Sequence, residues 1–290
     1  MSKLYKVDFL FFGYLLITTI LILAGGNSVI NPQRLFLVRG FILAAVFGLI
    51  YLENQLKNRF IFLIRNTYSI ILSGYFYSET VFFNKLFFNN LDPILEQIDR
   101  TIFGSQPSIL FSEILPNHLF SELMYFAYFS FYLLIISFVI TAFFKSETIF
   151  TKAIFQLSAS LYLFYIIFAL LPSAGPQFYF PFPENMLPES YFFDKIMHLI
   201  QGIAEQPTGA FPSSHVGIAL IILTISKKIL PVFFKIALPI VFLLILSTVY
   251  IKAHYVTDII GGFIFAPFIL WIANFLFKSI PEKTFNFTKS

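Results

Sequence analysis

The chain has 290 residues, of which 58% are hydrophobic and 12% are charged, and its mean hydropathy is +0.82. Soluble domains carry about 25% charged residues, so the composition excludes an ordinary soluble domain and is typical of a membrane protein. The chain has no cysteine, which excludes disulfides, thiolate metal sites and cysteine nucleophiles, and its net charge of +4 does not indicate a nucleic-acid partner.

Eight apolar segments approach the roughly 20 residues that a helix needs to cross a bilayer. They lie at about residues 7–24, 35–52, 61–83, 121–144, 153–171, 213–230, 236–252 and 257–277. The first segment could also be a cleaved signal peptide. We favour an uncleaved anchor, because its loss would reverse the charge balance described next. The fold class predicted is all-α, a polytopic membrane helical bundle of about eight transmembrane helices.

The basic residues orient this bundle. With the N-terminus inside, twelve lysines and arginines lie in cytoplasmic segments and five lie in outer segments. Because basic residues accumulate on the cytoplasmic side, both termini are predicted to be inside. Arg39 and Arg65 lie within spans near their ends and are expected to snorkel.

Two long outer segments, about 84–120 and 172–212, could cover a site at the membrane surface. The first contains apolar residues at helical spacing: Leu91, Ile94, Leu95, Ile98 and Ile102. Charged residues occupy the other side: Asp92, Glu96, Asp99 and Arg100. This pattern predicts an interfacial helix on the outer face.

The segment Pro212-Ser213-Ser214-His215 begins an apolar helix with residues that a helix N-terminus prefers. Free backbone N–H groups and the positive end of the helix dipole can hold an anion there. Ser213 and Ser214 add hydroxyl donors, and His215 can give or take a proton. An ordinary N-cap is the alternative, and for this motif alone it is the better interpretation.

His254 and Asp258 are four residues apart, so they share one face of a helix. A carboxylate bonded to one imidazole nitrogen holds the tautomer and leaves the lone pair of the other nitrogen free for attack. The alternative is an interfacial histidine bonded to a neighbouring carboxylate.

Both motifs fall at the outer ends of neighbouring late helices, so they can form one pocket. An anion site and an oriented imidazole favour phosphoryl transfer. His254 would attack phosphorus to form a phosphohistidine, and His215 would protonate the leaving oxygen. Water or another hydroxyl would then accept the group. Zinc held by the two histidines and Asp258 is the rival chemistry, but it would not explain the two serines.

At these residues the sequence resembles the type-2 phosphatidic acid phosphatase superfamily, whose signatures are KxxxxxxRP, PSGH and SRxxxxxHxxxD. The second signature appears as Pro212 to His215, and the third as Ser247-Thr248 followed by His254 and Asp258. The longer strings Gly-Ala-Phe-Pro-Ser-x-His and Ser-Thr-x-Tyr-x-x-x-His-Tyr-x-x-Asp-x-x-Gly-Gly are more similar to the inositol phosphorylceramide synthase branch.

The resemblance implies a lipid phosphatase or phosphotransferase-like membrane domain with a six-helix catalytic core. We place it at residues 60–290, after a two-helix extension at residues 1–59. The resemblance also implies catalysis without metal or other cofactor, with His254 as nucleophile, Asp258 as its partner and His215 as acid.

The sequence departs from the family in its basic residues. Thr248 occupies the position of the usual arginine, no KxxxxxxRP occurs, and the nearest counterpart ends in the neutral Gln177. The candidates for the missing positive charge are Lys252, Lys195, Arg100 and Arg39. Lys252 is nearest to His254, although a snorkelling lysine is an equal alternative. The predicted phosphate-binding residues are Ser213, Ser214, Lys252 and Gln177.

We therefore expect an enzyme that acts on a lipid phosphate or diphosphate at the outer leaflet, which in a bacterium is the periplasmic face of the inner membrane. Hydrolysis and transfer of a phospho-head group to a lipid or polyol hydroxyl both stay open. A transporter or lipid-binding scaffold is the alternative class, motivated by the missing arginines. The expected partners are the lipid phosphate and membrane lipids, without nucleic acid, and the sequence leaves the oligomeric state open.

Overall fold

The structure is a computed structural model that describes residues 4–56 and 58–281. The predicted domains, 1–59 and 60–290, extend beyond it at residues 1–3, 57 and 282–290. The helices are α1 (Lys6–Gly25), α2 (Pro32–Leu56), α3 (Arg59–Ile71), α4 (Ser73–Glu79), α5 (Asp92–Phe103), α6 (Pro107–Ile114), α7 (His118–Lys145), α8 (Glu147–Leu170), α9 (Pro176–Tyr179), α10 (Phe193–Ala204), α11 (Ser214–Ile229), α12 (Pro231–Tyr250) and α13 (Val256–Ser279).

All eight predicted apolar segments are helical, and within the described residues the chain contains no strand. Six helices are long and apolar enough to cross a membrane: α1, α2, α7, α8, α12 and α13. The third predicted segment is divided at Leu72 into α3 and α4. The sixth, α11, has 16 residues and is about 24 Å long, shorter than a bilayer core of about 30 Å. The chain is thus a polytopic membrane bundle.

Helix α8 forms the centre of this bundle. Of its most apolar 18-residue window, 78% is buried, against 22–44% for the other five candidate spans. It contacts α1, α3, α4, α7, α11 and α13. Helix α11 approaches it closely at Gly217, where any Cβ would overlap the ring of Phe164. Close packing against α8 therefore places the start of α11, and with it His215, inside the bundle.

Two buried ion pairs join the first two helices to the rest of the bundle. Arg39 of α2 pairs with Glu79, with Nη2 2.7 Å from Oε2, and Arg65 of α3 pairs with Asp8. The Arg39 and Arg65 side chains are 4% and 0% exposed, so the expectation that they snorkel is wrong. Each guanidinium instead meets a carboxylate from another helix, as a buried charge requires.

Helix α5 lies at the end of the bundle where α13 begins, and it packs against α13. The predicted helix is confirmed, but its charged residues do not share one environment: Asp92 and Asp99 are buried, whereas Arg100 is exposed. Asp92 and Asp99 are fully buried together with Leu95, whereas Ile94 and Ile102 are exposed. The face that points into the protein therefore carries two carboxylates, and these bond to the residues that directly follow His254.

Candidate active site

The two sequence motifs meet through their backbones. The N–H of Ser213 donates to the carbonyl oxygen of Asp258 at 2.9 Å. Helix α13 can come this close because residue 262 is glycine: a Cβ there would lie 2.8 Å from the carbonyl oxygen of Ser213. A Cβ at Gly261 would similarly press on Phe211. The paired glycines after Asp258 thus allow the start of α11 to lie directly on the start of α13.

The three predicted catalytic side chains form a chain of contacts at this junction. Nδ1 of His254 lies 3.3 Å from Oδ2 of Asp258, and Nε2 of the same ring lies 3.3 Å from Nδ1 of His215. The N–H of Tyr255 donates to the same Asp258 oxygen at 2.9 Å and holds the carboxylate in place. With Nδ1 of His254 protonated toward Asp258, the lone pair of Nε2 points toward His215.

His254 lies in the loop between α12 and α13 and is 3% exposed. Burial lowers its pKa to about 4, an effect that the negative charge of Glu205 partly offsets. The imidazole is therefore neutral near pH 7, as a nucleophile must be.

The buried carboxylates of α5 hold the segment that carries His254. Oδ2 of Asp99 accepts the N–H of Val256 at 2.9 Å, and Oδ1 accepts the N–H and the hydroxyl of Thr257 at 2.9 and 2.6 Å. These bonds cap the first turn of α13. Asp92 accepts the hydroxyl of Tyr255 at 3.1 Å.

Asp92 also accepts the N–H groups of Ala174 and Gly175, each at 2.7 Å. Gly175 has a φ of +91°, and a Cβ there would lie 2.8 Å from the carbonyl oxygen of Ala253. The loop before Gln177 therefore lies directly against the residue that precedes His254. The sequence analysis placed Asp92 and Asp99 on the polar side of this helix, opposite its apolar residues. Asp92, Leu95 and Asp99 are, however, three and four residues apart, and this spacing puts both carboxylates on the same face as the apolar Leu95.

A cavity of about 290 Å³ lies beside Ser214 and His215, between α3, α4, α7, α8 and α11. Most of its wall is aliphatic or aromatic. Its polar lining comprises Ser73, Tyr77, Tyr132, Tyr165, Glu205, Ser214 and His215. Among the described residues that line it, none is lysine or arginine. The contacts that run from Asp258 through His254 thus reach the cavity at His215, and Ser214 lies beside it in the cavity wall.

The predicted phosphate-binding residues differ in their placement. Ser214 lines the cavity, whereas the hydroxyl of Ser213 accepts the N–H of Val216 at 3.3 Å and acts as the N-cap of α11. Nε2 of Gln177 donates to Oε2 of Glu205 at 2.6 Å, so Gln177 reaches the site through that carboxylate.

The ammonium group of Lys252 points into a different cavity. Its Nζ donates to the carbonyl oxygen of Glu184 at 2.6 Å, and the side chain lines a space of about 470 Å³ together with Glu113 and Glu189. Burial lowers its pKa, because a dry environment disfavours the ammonium form. The phosphate-binding role of Lys252 stays a prediction, and these contacts give it no support.

The other candidate cations are engaged or distant from the cavity lining. Arg39 is paired with Glu79, and Arg100 is paired with Glu96 at 2.6 Å. Lys195 is exposed on α10. Sequence reasoning missed Glu205, which follows α10 and accepts the hydroxyl of Tyr128 at 2.9 Å.

The family comparison covers most of these elements. A profile of the PAP2 superfamily matches residues 94–272, from α5 to the second half of α13, and this region includes His215, His254 and Asp258. No curated protein and no solved structure matches the chain significantly. The matched region is more than half of the chain, and the chain therefore belongs to the PAP2 superfamily, a family of membrane phosphatases and phosphotransferases.

Proposed function

We propose that the protein is an integral-membrane enzyme that removes or transfers the phosphoryl group of a lipid phosphate or diphosphate through a phosphohistidine on His254. The observation that carries this proposal is the chain of contacts from Asp258 to His254 and on to His215, with both separations at 3.3 Å. An oriented neutral imidazole next to a second histidine has what a nucleophile and its acid require.

In the proposed first step, Nε2 of His254 forms a bond to phosphorus while the bond from phosphorus to the lipid oxygen breaks. His215, as imidazolium, gives that oxygen a proton. A bound phosphate favours the imidazolium form, because a nearby opposite charge stabilises it. In the second step, water or an alcohol loses its proton to His215, attacks phosphorus and releases His254.

The contact between the two rings must open when substrate binds. A reacting phosphorus would lie about 3–3.5 Å from Nε2 of His254, which is where Nδ1 of His215 now lies. We propose that the phosphate separates the rings and that its oxygens bind the first N–H groups of α11 and the hydroxyl of Ser214. A helix N-terminus suits this role, because its N–H groups and dipole favour an anion.

The proposed location of this site is the outer leaflet, on the periplasmic face of the inner membrane in a bacterium. The excess of basic residues in the segments assigned to the cytoplasm supports this orientation. The reaction would then occur where lipid head groups meet the outer segments α5, α9 and α10.

Transfer of a phospho-head group to a lipid or polyol hydroxyl is the second candidate, and the apolar wall of the cavity favours it. Ile71 and Ile136 line the cavity and are also largely exposed, so the cavity reaches the lipid-facing surface between α3 and α7. Such a wall excludes water and can admit a second lipid. The similarity of the two motif strings to the inositol phosphorylceramide synthase branch supports the same candidate.

An acceptor-dependence assay tests the proposal. Protein purified in detergent is given a lipid phosphate without added metal, and formation of the lipid alcohol, the leaving group common to hydrolysis and transfer, is followed with and without an acceptor lipid or polyol. We expect turnover that EDTA does not reduce. Product only in the presence of the acceptor assigns transfer, and product without it assigns hydrolysis. Loss of turnover in EDTA, with recovery on adding zinc, would contradict the histidine mechanism.

The pH dependence of kcat/KM gives an independent prediction. His254 must be unprotonated to attack, and its pKa is lowered to about 4, so the nucleophile stays active as the pH falls from 7 to about 5. Activity should then fall about tenfold per pH unit below pH 4. The measurement uses two substrates whose phosphates have different pKa values. A fall in activity that comes from the enzyme occurs at the same pH for both, whereas one that comes from the substrate does not. An acidic limb near 6.5, common to both substrates, would contradict a buried nucleophile.

A further inference from the structure

Glu205 brings a carboxylate into the reaction cavity. Its Oε1 accepts the hydroxyl of Tyr128 at 2.9 Å, and its Oε2 accepts Nε2 of Gln177 at 2.6 Å. The residue lines the cavity together with Ser214 and His215. One donor on each oxygen thus holds the carboxylate in place. It lies close to the position that a phosphate bound at the start of α11 would occupy.

The charge balance of this cavity is unusual for a site that binds phosphate. Among the described lining residues Glu205 is the one carboxylate, and none is lysine or arginine. The nearest basic candidate, Lys252, directs its ammonium to Glu184 in the neighbouring cavity. A doubly charged phosphate near this carboxylate is repelled about twice as strongly as a singly charged one, because the Coulomb energy is proportional to the product of the charges. A second negative charge on the substrate is therefore costly in this cavity.

We propose that Glu205 is a specificity-determining residue that selects a phosphate carrying one negative charge, a lipid phosphodiester, over a doubly charged phosphate monoester. This inference rests on the proposed function and gives its transfer candidate a substrate class, a phosphodiester whose head group stays on phosphorus. Each oxygen of Glu205 accepts one bond from the protein and keeps a further lone pair. A hydroxyl on the head group can donate to that lone pair, whereas the oxygens of a doubly charged monoester carry no proton and can only accept.

The reaction then keeps the head group on phosphorus. Nε2 of His254 bonds to phosphorus, the bond from phosphorus to the lipid oxygen breaks, and His215 gives that oxygen a proton. The phosphohistidine carries the head group as an ester. An alcohol next attacks phosphorus, its proton goes to His215, and the bond to His254 breaks.

Substitution of Glu205 tests the inference. The kcat/KM values of a lipid phosphodiester with a hydroxylated head group and of the corresponding lipid monoester are measured in mixed micelles. We expect the unaltered protein to prefer the diester. Glu205→Gln should raise kcat/KM for the monoester relative to the diester by about tenfold or more, since it removes the repulsive charge and keeps the shape. Glu205→Asp, which keeps the charge, should retain the preference for the diester.

Glu189→Gln is the matched control, because Glu189 is an exposed carboxylate on the outer surface that lines the neighbouring cavity. It should leave the ratio unchanged. An equal change for both substrates in Glu205→Gln would overturn the inference and leave the histidine mechanism in place. Turnover of neither substrate by the unaltered protein would instead reject the proposed function itself.

Inhibition of the unaltered protein provides a second measurement that does not depend on a variant. An alkyl phosphate monoester loses its second charge as the pH falls through about 6, whereas a dialkyl phosphate keeps a single charge. We expect inhibition by the monoester to strengthen about tenfold between pH 7.5 and 5, and inhibition by the diester to stay nearly constant. Equal pH dependence of both inhibitors would contradict charge selection by Glu205.

Discussion

His254→Ala is expected to lower kcat/KM on the order of 10⁴-fold or more, because it removes the atom that bonds to phosphorus. Removal of a nucleophile leaves only binding and electrostatic catalysis. The direct measurement is covalent trapping. A lipid substrate carrying labelled phosphate should transfer label to the protein in an acid-labile, alkali-stable form, and the variant should take up none.

Two further variants make this result specific. His254→Gln retains a side chain that can hydrogen-bond to Asp258, so its thermal unfolding should stay close to that of the unaltered protein while activity is still lost. His198→Ala removes an exposed histidine of α10 and should keep full activity and labelling. Labelled protein from His254→Ala would place the nucleophile elsewhere, and His215 would be the next residue to substitute.

Asp258→Asn is expected to lower kcat roughly 10³-fold to 10⁴-fold. Oδ2 of Asp258 lies 3.3 Å from Nδ1 of His254, and the carboxylate keeps Nδ1 protonated so that the lone pair is on Nε2. An amide can donate to Nδ1 instead, which favours the opposite tautomer. The phosphohistidine should therefore still form, but slowly, and single-turnover labelling measures that rate.

The structural part of this effect can be separated from the chemical part. The N–H of Tyr255 donates to the same Oδ2, so an amide nitrogen placed there loses that bond, but the bonds from Val256 and Thr257 to Asp99 still hold the first turn of α13. Glu96→Gln is the control, since it removes a carboxylate of α5 whose ion pair with Arg100 lies at the surface and contributes little. Labelling by Asp258→Asn within about threefold of the unaltered rate would show that Asp258 does not orient the nucleophile.

Much of the helical architecture could be predicted, because each span is a local property of composition. All eight apolar segments are helices, and the sequence-based helix near residues 91–104 is α5. The length of α11 and the break at Leu72 were harder to predict. Apolar residues continue across both boundaries, so hydropathy alone does not show where the hydrogen-bonded helix ends.

The predicted roles of charged residues were less secure. Arg39 was a candidate for phosphate binding and for snorkelling, yet it is buried against Glu79, forty residues away in the chain. Lys252 follows the C-terminal end of α12, but its φ of +60° and its bond to Glu184 direct it away from the cavity that His215 lines. The partner of a charge depends on which distant helix packs beside it.

The sequence by itself determined that this protein is an apolar helical bundle, and it identified the two motifs that carry His215, His254 and Asp258. Those properties depend on residue type and short spacing, which the chain carries locally. Only the tertiary structure placed Asp99 on the first turn of α13 and Glu205 in the cavity beside Ser214. Both are acidic residues whose burial depends on donors from other helices, and folding alone brings those donors to them.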